Sequence, residues 1–183
     1  DWPGLPYLRK RSEGSFISAS MKQTAQFFSD DTPKTAKGAY ALASALQEGR
    51  QTKKAKAVIQ HAWENFAMEV KLQDAYVKKY GNLIKSGTSK RLREMLWHQN
   101  SGQVRGLFPY LAAQDQALAK ACLALYEGKD GVDPLIAKLS NDVRKEPILA
   151  HARFIWRLKT RKHSSAIKML LDSSKSSKTL GKP

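Results

Sequence analysis

Cysteine is almost missing from this chain. Cys122 is the only one, so no internal disulfide can form. It sits in the apolar run Ala121-Cys122-Leu123-Ala124-Leu125, where it reads as a small core residue. A solitary thiol suits the cytoplasm and the periplasm equally. Proline and glycine are too sparse, at 7 and 11, for a fibrous or disordered class. No apolar run approaches the roughly 18–20 residues that a membrane span needs. The opening Asp1-Trp2-Pro3 has neither the basic segment nor the apolar stretch of a signal peptide. Acidic residues are also scarce: 16 Asp and Glu stand against 32 Lys and Arg, a formal charge of +16. Such an excess favours polyanionic partners such as nucleic acid, acidic lipid or anionic cell-wall polymer, without choosing among them.

What is present is helical periodicity, with no convincing strand. Ala36, Ala39, Tyr40, Ala43 and Leu46 fall on one face after Thr35, and Gly49 is expected to end that helix. A second helix from about Thr52 carries Ala55, Val58, Ile59, Ala62 and Phe66 on its inner stripe. A link this short makes the pair an antiparallel helix hairpin. Leu72, Tyr76 and Tyr80 lead to Gly81, read as another stop, and Leu92, Met95 and Leu96 follow Thr88 or Ser89 as possible caps. Val104, Leu107, Phe108 and Leu111 form a stripe that Pro109 bends or shortens. Ala117, Leu118, Ala121, Cys122 and Leu125 form another, closed by Gly128. Pro134 and Pro147 fit first helical turns, with Asp133 as a cap. Ser164 opens a last helix bearing Ile167, Leu170 and Leu171.

Helices of roughly 9–15 residues are too weak alone, so stacking must stabilise them. The stretch from Ala41 through Ala55 to Ile59 can be laid over that from Ala152 through Ala166 to Leu170, with Thr160 in the place of Gly49. This supports an all-α fold: a right-handed superhelical solenoid of antiparallel helix hairpins, tetratricopeptide-like with irregular repeats. Residues 1–33, with Pro3, Pro6, Pro33 and the pair Phe27-Phe28, are expected to be a helical segment with proline-rich turns. Residues 34–172 are the solenoid, and 173–183 a polar tail expected to fray.

The residues offer little chemistry. His61, His98, His151 and His163 have no metal-ligand spacing, and His61-Ala62-Trp63-Glu64 lacks the second histidine of an inverted zinc motif. No glycine-rich loop follows a strand, and no cofactor is implied. Asp30, Asp31 and Glu64 read as solvated or capping acids rather than the sheltered carboxylate pair of a glycosidase. Trp63, Trp97 and Trp156 can be core residues or platforms for sugar rings. The specific feature is basic: no acid occurs between Glu146 and Asp172, while Arg153, Arg157, Lys159, Arg161, Lys162 and Lys168 do. At four-residue spacing Arg153, Arg157 and Arg161 would share one helix face. That face is either a solvated surface or a stripe that binds anions or a partner domain.

The order of several motifs resembles the N-terminal superhelical region of bacterial soluble lytic murein transglycosylases. They are Asp1-Trp2-Pro3-Gly4-Leu5-Pro6-Tyr7-Leu8, Phe27-Phe28, Pro33-x-Thr35-x-x-Gly38, Ala45-Leu46-x-x-Gly49-Arg50 and Ile59-x-x-Ala62-Trp63. Tyr80-Gly81, Arg91-Leu92-x-x-x-Leu96-Trp97 and Ala152-Arg153-x-x-Trp156-Arg157 extend the likeness to about Leu171. The resemblance implies a periplasmic, non-catalytic scaffold joined in its relatives to a lysozyme-like domain, which cleaves glycan strands to 1,6-anhydromuramyl ends. That domain uses a Glu-Ser motif and a Gly-Leu-Met-Gln motif. Neither occurs here, so no catalytic residue carries over, and the chain is expected to be a piece of a longer enzyme or a relic without its catalytic part. The implied partners are peptidoglycan glycan strands or a lysozyme-like catalytic domain. The alternatives are an adaptor solenoid that binds a protein segment in its groove and a basic helical-repeat nucleic-acid binder. Only charge speaks for the last, since no nucleic-acid-recognition motif is visible.

Overall fold

The computed structural model describes residues 4–174, which contain helices and turns and no strand. Residues 1–3 of the opening motif and all but Ser173 and Ser174 of the polar tail lie outside them. The chain forms two compact units that divide between Arg91 and Leu92. No described helix is long and apolar enough to cross a membrane.

The first unit begins with α1 (Leu5–Ser12), a 3-10 segment (Glu13–Ser18) and α2 (Met21–Phe27). Ser20 and Gln23 form a reciprocal capping box at the start of α2. The core is the hairpin of α3 (Ala36–Glu48) and α4 (Thr52–Asn65). Thr35 caps α3 by accepting the Gly38 N–H at 3.0 Å. Ala36, Ala39 and Ala43 are buried on α3, and Ala55, Ile59, Ala62 and Trp63 on α4, much as the periodicity predicts. Small alanines let the two helices approach closely, and Ile59 and Trp63 fill the space beside them. In α5 (Val70–Ile84), Tyr76 donates its hydroxyl to the Ala36 carbonyl at 2.8 Å and meets Tyr40 edge-on. Gly81 does not stop this helix. Its propensity penalty of about 1 kcal/mol is outweighed by burial of Tyr80 and Ile84 on either side of it.

A short 3-10 turn (Lys85–Gly87) leads into α6 (Thr88–Trp97), which contains the division between the units. Thr88 is the first residue of α6 rather than its cap, and its hydroxyl donates back to the Ile84 carbonyl. The second unit continues with α7 (Ser101–Leu107), shortened by a 3-10 turn at Phe108–Tyr110 around Pro109. Then come α8 (Ala113–Tyr126), α9 (Asp133–Ala137), α10 (Asn141–Arg144), α11 (Pro147–Lys159) and α12 (His163–Ser174). Every residue of α8 from Leu118 to Tyr126 is buried except Lys120, and α8 packs chiefly on Ile148, Leu149 and Ala152 of α11. Arg93 pairs with Asp115 in the first turn of α8 and with Glu146, the N-cap residue of α11. Each carboxylate therefore meets both a guanidinium and the positive end of a helix. Two expectations fail here. The N-cap of α9 is Val132, with Asp133 already inside the first turn. Among the described side chains of α12 only Ala166 is buried, and Ile167, Leu170 and Leu171 face outward.

Four helices end with a left-handed residue at the same place. They are Arg50 after α3, Gln99 after α6, Gly128 after α8 and Arg161 after α11. In each, the next amide reaches back five residues and the left-handed residue's own amide reaches back three. Gln51 N–H to Leu46 O (2.8 Å) with Arg50 N–H to Gln47 O (3.0 Å) has its counterpart in Lys162 N–H to Arg157 O (2.8 Å) with Arg161 N–H to Leu158 O (3.2 Å). α3 thus ends at Gly49, its C-cap, as expected, and the left-handed residue is Arg50 just after it. The α3–α4 and α11–α12 hairpins share this turn, and the aligned pairs Ala41 with Ala152 and Ala55 with Ala166 are all buried. The overlay does not extend to its last pair, since Ile59 is buried and Leu170 is exposed. Because a side chain in this conformation is strained, Arg50→Gly and Gln99→Gly should each stabilise by about 0.5–1 kcal/mol, after the extra entropy of the unfolded glycine is deducted. Urea titrations should show both midpoints rising, and a fall in either would remove the strain argument.

Candidate binding surface

The six cations singled out in the sequence lie on α11, on the following turn and on α12. Arg153 and Arg157 are one turn apart on α11, but the expected third member of that face is not there. Arg161 lies beyond the end of the helix at φ 57°, so it leaves the row. Lys159 is turned away to the Tyr126 carbonyl (2.7 Å) at the end of α8, where a cation suits the helix terminus. Lys168 and Arg161 are exposed. Arg157 is half-buried, donating to Ser165 Oγ (2.9 Å) and to the Arg153 carbonyl (3.0 Å). Burial, and after it the like charge of Arg153, holds the Arg157 guanidinium below its ordinary pKa.

Arg153, Arg157 and Lys162 come together at a hollow of about 210 Å³. Trp156 forms part of its wall, fixed by its indole N–H on the Lys129 carbonyl (2.9 Å), with Lys162 Nζ 4.1 Å from the centre of its ring. Asp130 and Asp133 line the same hollow. Sequence spacing gave no sign of them, because they precede α11 and reach the site through the segment in which Gly128 and Gly131 both take positive φ. The acid-free stretch is therefore not an acid-free site.

A larger hollow of about 760 Å³ lies in the first unit, between the α2–α3 connection and the α3–α4 hairpin. Leu42, Leu46, Val58 and Phe66 make its apolar wall, and Asp30, Asp31, Lys54 and His61 also line it. Lys34 and the Thr32 amide hold the Asp31 carboxyl below the usual carboxylate range. His61 is an exposed helix-face residue beside Asn65 and Phe66, as its spacing predicts.

The best-sheltered carboxylates are committed elsewhere. Glu13, 2% exposed, accepts from Lys34 N (2.8 Å), Thr35 N (2.8 Å) and Thr35 Oγ1 (2.6 Å). Its partners lie 21 and 22 residues further along the chain, so no local pattern marks it. Asp115 and Glu146 hold Arg93, and Glu64 holds Lys90 at 2.6 Å. Of the tryptophans, Trp63 is fully buried and Trp97 is stacked on His151 at 4.5 Å. Lys162 covers one face of Trp156. Cys122 is buried and its thiol is pushed up to about 12 by that burial, so it is a poor nucleophile. No group of three or more potential metal ligands occurs among the described residues. In comparisons with protein-family models, curated proteins and solved structures, nothing matches this chain.

Proposed function

We propose that this chain is a non-catalytic helical scaffold of the kind its motifs resemble, a periplasmic module that positions peptidoglycan or a lysozyme-like partner domain for glycan-strand cleavage. The observation that carries the reading is how charge is used. A general acid for glycoside cleavage needs a sheltered carboxyl with a raised pKa. Here Glu13, Asp115, Glu146 and Glu64 are each already engaged by amides, hydroxyls or cations of the chain itself. Arg153, Arg161, Lys162 and Lys168 meanwhile stand exposed around one hairpin. The shared turn of the α3–α4 and α11–α12 hairpins supports a superhelical stack with irregular, tetratricopeptide-like repeats. A second reading, an adaptor that takes a protein segment, draws support from the apolar hollow beside α3 and α4.

Co-sedimentation with purified insoluble peptidoglycan is the test. The chain should sediment with it at low salt and release no soluble anhydromuropeptides. Replacing Arg153, Arg157 and Arg161 together with Gln should weaken binding while leaving helicity unchanged. Exposed charges are screened beyond about 8–10 Å at physiological salt, so the difference should shrink as salt rises. Tighter binding to nucleic acid than to peptidoglycan in a parallel gel-shift series, or product release by the purified chain, would overturn the reading.

A further inference from the structure

The hollow beside α11 carries both signs of charge in one small space. Arg153, Arg157 and Lys162 line it together with Asp130 and Asp133, within about 210 Å³. Neither aspartate forms an ion pair among the described residues. The nearby Arg105 and Lys129 are taken by Glu127 instead. Arg157 has only part of its fork occupied: Nε donates to Ser165, and Nη1 to the Arg153 carbonyl and Met169 Sδ. Opposite charges thus face a common space without neutralising each other at contact distance.

That pattern selects among ligands. A phosphate or a simple carboxylate meets Arg153 and Arg157 favourably but is repelled by the two aspartates. A simple amine or metal cation meets the reverse. A group with an ammonium and a carboxylate on the same carbon satisfies both sets at once. Its carboxylate takes charge-assisted hydrogen bonds from the arginines, and its ammonium has three donors to give to carboxylate oxygens. Such a head group is also small enough for the hollow, whereas a nucleic-acid backbone is not.

We propose that this hollow binds a free α-amino-acid end, with its carboxylate toward Arg153, Arg157 and Lys162 and its ammonium toward Asp130 and Asp133. The source rests on the scaffold reading: a peptidoglycan stem built with meso-diaminopimelate keeps such an end free wherever it is not cross-linked. A free amino acid is the other source of the same chemistry.

Isothermal titration of the full chain with two stem tripeptides separates the possibilities. One ends in meso-diaminopimelate and the other in L-lysine, which has the amine but lacks the carboxylate beside it. The first should bind, and the second should bind more weakly by about tenfold or more, the scale of one charge-assisted hydrogen bond. Arg153→Gln and Asp133→Asn, both at exposed positions, should each weaken the first peptide by a similar factor with unchanged helicity. Equal binding of the two peptides, binding indifferent to both substitutions, or no binding at all would overturn the proposal. Free alanine binding as tightly as the diaminopimelate peptide would uphold the site and assign it to free amino acids. The scaffold reading fails separately, since co-sedimentation with peptidoglycan can persist when the tripeptides do not bind.

Discussion

Gly38→Ala should destabilise the first unit by about 3–5 kcal/mol, although glycine to alanine inside a helix ordinarily gains about 1 kcal/mol. A Cβ at this position would lie 2.4 Å from Glu13 Oε2 and 2.9 Å from Glu13 Cβ and Cδ. Glu13 cannot retreat cheaply. Its carboxylate holds two backbone amides and a hydroxyl at the start of α3, and Thr35, one of those partners, also caps the helix. Making room breaks those bonds or moves α3 away from the 3-10 segment that carries Glu13. Hydrogen bonds to a charged acceptor are worth about 1.5–3 kcal/mol each, and the buried donors left behind add to the loss. Glu13→Gln keeps the volume but turns an amide NH2 or a single carbonyl toward three donors, so it should cost about 2–3 kcal/mol. The decisive measurement is a double-mutant cycle by urea unfolding. In a Glu13→Gly background all three contacting atoms are gone, and Gly38→Ala should become neutral or stabilising. If the cost of Gly38→Ala is the same in both backgrounds, the close approach is not its cause.

Gly38 illustrates what a sequence can and cannot show. Its place in the Thr35-x-x-Gly38 motif was visible, and so was the capping role of Thr35, because both are local. The reason for the glycine was not, since Glu13 approaches from a different element. Much the same division runs through the fold. The inner faces of α3, α4 and α8 follow the periodicity, because burial of a repeating apolar stripe is what the pattern encodes. Gly49 does stand at the C-cap of α3, with the left-handed residue, Arg50, next to it, whereas α5 continues through Gly81, which composition marks as a stop. Packing around the tyrosines and the backbone bonds of the turn outweigh the intrinsic preferences of single residues. The apolar stripe of α12 has the right spacing for a core face, but Ile167, Leu170 and Leu171 are exposed. Periodicity states that a face is apolar, not that something covers it. At the binding surface, Arg153 and Arg157 were legible from their spacing. Asp130 and Asp133 reach the hollow only through the fold of the segment after α8.

Arg91 should be the other position of large effect. It is 0% exposed, a rare place for a guanidinium. Its Nη1 donates to the carbonyls of Trp63 (2.8 Å) and Phe66 (2.9 Å), at the C-terminal end of α4. Its Nε and Nη2 donate to Gln73 Oε1 at 3.3 and 3.1 Å, and its central carbon lies 4.6 Å from the centre of the Trp63 ring. The carbonyls that end a helix lack partners within it and carry its negative pole, so a planar cation with several donors satisfies both needs. Burial pushes the guanidinium down to about 10, so it is still charged at neutral pH. Arg91→Met removes the donors and leaves three acceptors without them, two buried and one part-buried, and should cost about 3–5 kcal/mol. Arg91→Lys keeps the charge, but one ammonium cannot span the same acceptors, so recovery should be partial. The linkage has a definite sign. The folded-state pKa lies below the unfolded value of 12.5, so the unfolded chain binds more protons between about pH 10 and 12.5. Within that window stability rises with pH on account of this group, and below it the contribution is constant. The cost of Arg91→Met, measured by urea titration, should therefore be level from about pH 6 to 8 and resist added salt, because the acceptors are largely buried carbonyls. A cost below about 1 kcal/mol, within the ordinary range for surface substitutions, would show that water replaces the guanidinium at the end of α4 and that Arg91 does not hold the helix end.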